Sequence, residues 1–192
     1  MRKIISKEAE EKKRKRNQLL IGVVLIVVMV FSVLGYSLSS FGNTSSSSTV
    51  NYNGFKFTQT SNVWNLNKGS YTFSFNYNPY QTEKTNSALN LLSSYEGKPL
   101  YIFSEDNDAE IEIYKNLFYQ NQIVQRMQDA CLEGEKCNGD YPIKTCQDNF
   151  IIIKESNSSS IKQQNNCVFI EGNKGNLTAL SDSFLFKIIG IQ

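Results

Sequence analysis

The sequence predicts an α/β (α+β) sandwich with a mixed sheet and an N-terminal antiparallel β-meander, tethered by one N-terminal transmembrane helix. Three observations lead there: an uncharged apolar run from Leu19 to Tyr36, period-two alternation between residues 50 and 78, and two stretches, Phe150-Ile151-Ile152-Ile153 and Val168-Phe169-Ile170, that are apolar on successive residues. Of the 192 residues, about 150 remain after the tail and the apolar run, enough for one domain with a single sizeable core.

The chain opens on a basic tail, residues 1–17. It carries Arg2, Lys3, Lys7, Lys12, Lys13, Arg14, Lys15 and Arg16 against Glu8, Glu10 and Glu11, a local charge of +5 within a total of +2. The rest of the chain is therefore net −3, which argues against a nucleic-acid partner for the folded part. Residues 18–38 follow without a charge and span about 30 Å as a helix, the thickness of a bilayer's hydrocarbon layer. A core helix needs a polar face, and none is visible. A cleaved export signal has an apolar core of only about 7 to 15 residues, so the run reads as an anchor in contact with the lipid bilayer. Cations cluster before it, and none lies between Leu19 and Lys56. The positive-inside rule then places the N-terminus in the cytoplasm and the C-terminal domain outside it, at the cell membrane. Residues 39–49, rich in serine, read as a flexible stalk.

The domain spans residues 50–192. Asn53-Gly54 sits between apolar flanks, as a type I′ hairpin turn requires. Tyr71, Phe73, Phe75 and Tyr77 alternate with polar residues, so one strand face is buried. Trp64 and the meander tyrosines resemble the aromatic platforms that bind carbohydrate, but their alternation favours a core role. Ala88, Leu91, Leu92 and Tyr95 predict a short helix stopped by Gly97 and Pro99. Leu100–Phe103 is a compact strand. Asn107 with Glu110 resembles a capping box, opening a helix predicted over 108–131 on Ile111, Tyr114, Leu117, Phe118, Val124, Met127 and Cys131. With the strand at 149–155 this forms a βαβ unit of parallel strands. The strand around Val168 is expected to return antiparallel, and a helix over 178–189 to close the sheet with Leu180, Phe184, Leu185 and Ile188 inward.

Histidine is absent, which excludes Ser-His-Asp and Cys-His catalysis and imidazole ligation by this chain. Cys131, Cys137, Cys146 and Cys167 have spacings unsuited to zinc and lack the C-x-x-C of thiol oxidoreductases. Outside the cytoplasm an even count reads as two disulfides. A tight turn at Asn157-Ser158 would set Cys167 near Cys146, so Cys131–Cys137 and Cys146–Cys167 are the preferred pairs. Glycosylation sequons stand at Asn43, Asn157 and Asn176.

One constellation can carry chemistry. Glu105, Asp106, Asp108 and Glu110 follow a central strand and open a helix, where open α/β sheets bind ligands. Their oxygens suit Ca²⁺ or Mg²⁺, although acidic residues also favour a helix N-terminus for its dipole alone. No catalytic residue, cofactor site or phosphate loop is recognisable. The expected function is an extracytoplasmic binding or envelope-assembly domain with a protein or carbohydrate partner. The alternative is a cell-envelope hydrolase using the acidic cluster, which would then converge in a cavity with Asp148 or Asp182.

Overall fold

The computed structural model describes residues 7–41, 48–137 and 139–192. Two compact units divide the chain, Met1–Ser46 and Ser47–Gln192. The first is α1, Lys7–Phe41, a helix of 35 residues. Within it Arg14–Ser32 is long and apolar enough to cross a membrane, with mean hydropathy 1.6. Its apolar residues from Leu19 to Phe31 are exposed all round the helix. Ser39–Phe41, expected in the stalk, continue α1, because nothing helix-breaking follows Leu38. Most of the stalk, with Asn43, lies outside the described residues.

The second unit begins with the predicted meander, β1 (Thr49–Tyr52), β2 (Phe55–Thr60), β3 (Val63–Lys68) and β4 (Tyr71–Phe75), paired in sequence order. Asn53 and Gly54 both have positive φ, 48° and 83°, the geometry a type I′ turn demands. Ser61 and Asn62 make the same turn without a glycine, at 50° and 67°. The buried face carries Tyr52, Phe57, Trp64, Leu66, Phe73 and Phe75, so Trp64 is core and no platform.

The second sheet has the order β10-β11-β9-β5-β6, from β5 (Pro99–Ser104), β6 (Arg126–Asp129), β9 (Phe150–Glu155), β10 (Ser160–Gln164) and β11 (Cys167–Gly172). It is mixed, as expected: only β10 runs antiparallel to its neighbour. Burial of β9 on successive residues has the predicted cause, two covered faces. Ile151 and Ile153 face the main core, while Phe150 and Ile152 pack with Tyr101, Ala130 and Cys167 on the other side. A short ribbon, β7 (Cys131–Leu132) with β8 (Ile143–Lys144), belongs to the segment beside that second face.

Three expectations need correction. The helix expected over 108–131 is α2, Asn107–Tyr114, continued by one π-turn, Lys115–Tyr119. It stops because Gln122 adopts φ 49°, and Ile123 and Val124 then donate to Leu117 O; Met127 and Cys131 fall in strands. Its N-cap is Asp106, not Asn107. The helix expected before Gly97 is a single 3-10 turn, Leu92–Ser94, in which the serines offer no apolar face. Finally, β11 lies parallel to β9, with Cys167 opposite Phe150. The chain leaves β9 for the sheet edge as β10, then hairpins back at Asn165 (φ 52°) to insert β11 between them.

Both preferred disulfides form, Cys131–Cys137 and Cys146–Cys167. The second forms for a reason other than the expected antiparallel hairpin. Asp148 N donates to Thr145 O at 3.0 Å, and Asn166 N donates to Cys146 O at 3.1 Å, folding Cys146 back beside the start of β11. With loop separations of 6 and 21 residues, chain-entropy loss in the unfolded state stabilises the domain by about 2 and 3 kcal/mol.

The closing helix is α3, Leu177–Ile188, with Leu180, Phe184, Leu185 and Ile188 buried as expected. Ser181, Asp182, Ser183 and Phe186 are buried too, because α3 is sandwiched between the meander and the mixed sheet. Phe186 lies 4.6 Å from Phe75 and 5.8 Å from Phe57. Gly172 lets β11 approach α3 closely: a Cβ there would meet Leu180 Cδ1 at 2.5 Å.

The π-turn closes the free edge of β4. Residues 72 and 74 point their backbone groups away from β3, where a strand edge would lie open. Ser74 N donates to Asn116 Oδ1 at 2.8 Å and Asn116 Nδ2 donates to Ser74 O at 2.8 Å. Asn121 repeats this on Thr72, at 3.0 and 2.9 Å. Two side-chain amides thus stand in for a fifth strand.

Candidate functional site

The four acidic residues expected to act together hold separate posts. Glu105 Oε2 accepts the backbone N–H of Glu155 at 2.7 Å. Asp106 Oδ1 accepts from Ala109 N at 2.8 Å and caps α2. Asp108 is exposed, and Glu110 is half-buried facing Asp129. Burial, then the Asp129 charge, raise the Glu110 carboxyl above its ordinary pKa. Glu105, Glu110 and Asp148 line three different cavities. Among the described residues no group of three or more Asp, Glu or Cys side chains is placed to hold a metal ion. Of the sequons, Asn157 is exposed in the β9–β10 turn, whereas Asn176 stands at the start of α3 with Nδ2 3.3 Å from Ser159 Oγ.

Asp182 contacts a different carboxyl. It is fully buried on α3, beside Glu112 of α2, itself 1% exposed, and its Oδ1 has no other hydrogen-bond partner among the described residues. Tyr77 N donates to Asp182 Oδ2 at 2.9 Å, and Lys115 Nζ lies 2.9 and 3.0 Å from the two Glu112 oxygens. One ammonium cannot balance two buried carboxylates, so the pair retains a proton. Burial first, and the Glu112 charge second, hold Asp182 well above the usual carboxylate range. Neither residue lines any of the five cavities described for the domain, and the pair forms a joint between α2, α3 and the chain after β4.

The pair predicts a pH dependence of known sign. Below the unfolded-state pKa of about 3.9, Asp182 is protonated in both states. As pH rises above that value the unfolded chain releases this proton while the native pair keeps it, so the pair's contribution to stability declines with rising pH until the folded pKa is passed. Asp182→Asn keeps an acceptor for Tyr77 N–H and places an N–H donor toward Glu112 without needing a proton. Melting temperatures from pH 4 to pH 8 should show the variant matching the native chain in acid and exceeding it increasingly toward pH 8. A pH-independent difference would refute the shared proton.

Two larger concavities remain. One, of about 480 Å³, lies between the β3–β4 hairpin, Leu91–Ser93 and the end of α3, and is walled by Tyr71, Phe73, Leu92 and Ile188. Lys68 spans its rim, its ammonium donating to Ile189 O and lying 5.0 Å from the Phe55 ring. The other, of about 340 Å³, opens at the N-terminal ends of β5 and β9 and is polar, lined by Asn90, Ser94, Lys98, Tyr101, Gln147, Asp148, Asn149 and Asn166. Both fall in the size range of small-molecule sites. The polar groove lies at the opposite end of the parallel strands from the Ser104–Glu110 turn where a ligand was expected.

Tyr101 links that groove to a pair of cations. Its side chain is 3% exposed. Arg126 Nη2 donates to Tyr101 Oη at 2.9 Å, and the Lys144 ammonium sits 4.2 Å from the ring centroid. Hydrogen bonds from Lys144 and then Arg126 hold the phenol below its ordinary pKa. The register explains the meeting: Arg126 lies opposite Pro99, two residues before Tyr101 and on the same sheet face. Nothing local in the sequence marks this convergence, since the three residues are 18 to 43 positions apart. Comparison with protein-family models, with curated proteins and with solved structures finds no match.

Proposed function

We propose that the chain is a single-pass membrane protein, N-terminus in the cytoplasm, that presents a disulfide-stabilised binding domain on the outer side of the cell membrane. The observation that carries this reading is α1, apolar on every face from Leu19 to Phe31 and covered by no protein neighbour. A helix of that kind is stable in a bilayer and costly in water. The basic run before it and the two disulfides after it agree with one orientation. Asn157 is the best-presented acceptor if the host glycosylates.

A binding role is favoured over hydrolysis by size. The paired carboxylates Glu110 and Asp129, the arrangement that best supports an acid/base enzyme, share a cavity of about 90 Å³, below the 300 to 1,000 Å³ of ordinary ligand sites. Loss of a hydrolytic activity on Glu110→Gln would restore that alternative. The anchored reading is tested by fractionation. The full chain should stay with carbonate-washed membranes, removal of residues 18–38 should release it, and the denatured, non-reduced protein should show no free thiol. Release of the intact chain by carbonate, or four reactive thiols, would overturn it.

A further inference from the structure

We propose that the polar groove beside Tyr101 binds a uronic-acid unit of an acidic polysaccharide, with Arg126, Lys144 and the Tyr101 hydroxyl holding its carboxylate. Arg126 donates to the Tyr101 phenol oxygen while the Lys144 ammonium lies 4.2 Å from the centroid of the same ring, and among the described residues neither cation has a carboxylate within ion-pairing distance. Two cations drawn together without an anion repel each other, and a carboxylate or other oxyanion relieves that repulsion. Tyr101 Oη accepts from Arg126, which leaves its own O–H to donate to a ligand.

The groove next to this cluster specifies the remainder of the ligand. The side-chain amides of Asn90 and Gln147 make no hydrogen bond to the described residues, and Asn166 spends only Nδ2, on Gln147 O at 2.9 Å, keeping its Oδ1 free. Amides that can both donate and accept match vicinal hydroxyls, which do the same. A lipid headgroup would need an adjoining apolar wall, whereas this groove is predominantly polar. Asp148 is the one carboxylate in it and is turned to Thr145 N, at 3.5 Å, while Lys98 adds a further cation to the wall. A negatively charged sugar satisfies both the cation cluster and the amides; a neutral sugar leaves the cations unpaired, and inorganic phosphate leaves the amides unused.

This inference deepens the binding-domain reading and rests on it. Its test leaves topology aside, so the two can fail separately. The full-length chain in detergent micelles is titrated with oligogalacturonate, with a neutral maltooligosaccharide and with inorganic phosphate. The acidic oligomer should bind saturably, more weakly as salt rises, and the neutral one should not bind. Arg126→Gln and Lys144→Gln, at positions outside the core, should each weaken binding about tenfold, a change of about 1.4 kcal/mol. Tyr101→Phe, which removes one oxygen, should weaken it severalfold while the protein stays folded at the temperature of the titration. Equal binding of the neutral oligomer, native affinity in the two cation variants, phosphate binding without uronate binding, or no uronate binding at about 10 mM, where a millimolar Kd would register, would each overturn the proposal.

Discussion

Phe186→Ala should destabilise the domain by about 4 kcal/mol, the range for truncating a fully buried phenylalanine. Phe186 has no exposed surface and sits on α3 between two sheets, its ring edge-on to Phe57 and tilted against Phe75. The meander reaches the rest of the core largely through such contacts, because its four strands pair only with one another. A cavity here cannot collapse easily, since α3 is held from the other side by β9, β10 and β11. For a domain of this size the melting temperature should fall by roughly 10 °C, with the meander's amides losing hydrogen-exchange protection first. A shift under about 2 °C would show that the meander is not anchored through α3.

Asn116→Ala should cost about 3 kcal/mol although it removes no apolar contact. The side chain is fully buried and makes three hydrogen bonds, two to Ser74 and one to Glu112 O at 3.0 Å. Alanine leaves the Ser74 N–H and C=O without partners in a buried setting, each worth about 1 to 3 kcal/mol. Asn121→Ala, at the exposed end of the same edge, should cost about 1 kcal/mol, because water replaces what it removes. Urea unfolding of the two variants checks this gradient. Equal losses would contradict the distinction between the buried and exposed halves of the edge. The double variant should also associate at high concentration, since β4 would present unpaired backbone groups.

These two residues show where the sequence was readable and where it was not. The Asn-Gly turn, the alternation from Tyr71 to Phe75, the doubly buried β9 and the inward face of α3 are local signals, and the structure follows each one. The run Gln120-Asn121-Gln122 carries no local signal beyond polarity, and reads as a solvated helix face. Its role depends on β4, more than forty residues earlier, and the positive φ of Gln122 ends the helix sooner than its apolar spacing implies. Strand order failed for the same reason. Nothing near Asn157 tells that β10 passes to the sheet edge and that β11 enters beside β9. The disulfide pairing was legible because Cys146 and Cys167 flank strands that end up adjacent in either direction.

The chemistry was less legible than the fold. The acidic stretch from Glu105 to Glu110 drew attention by its density, yet its members separately cap α2, bind the backbone, face water or, in the case of Glu110, face Asp129. Within it Glu110 has a carboxyl pKa raised by burial and by Asp129, but the stronger shift belongs to Asp182, elsewhere in the chain. Asp182 and Glu112 are seventy positions apart and meet only because α2 and α3 pack together. Tyr101, Arg126 and Lys144 come from β5, β6 and β8. Titratable groups at such separations acquire a role through sheet register, and register is a property of the folded chain.

The central claim is that α1 crosses a bilayer and delivers the domain after it to the outer side. Protease shaving of intact cells tests this most directly. The account predicts that protease added outside removes the domain while a membrane-bound fragment retaining Arg14–Ser32 survives. A domain spared in intact cells and cleaved only after lysis would contradict it.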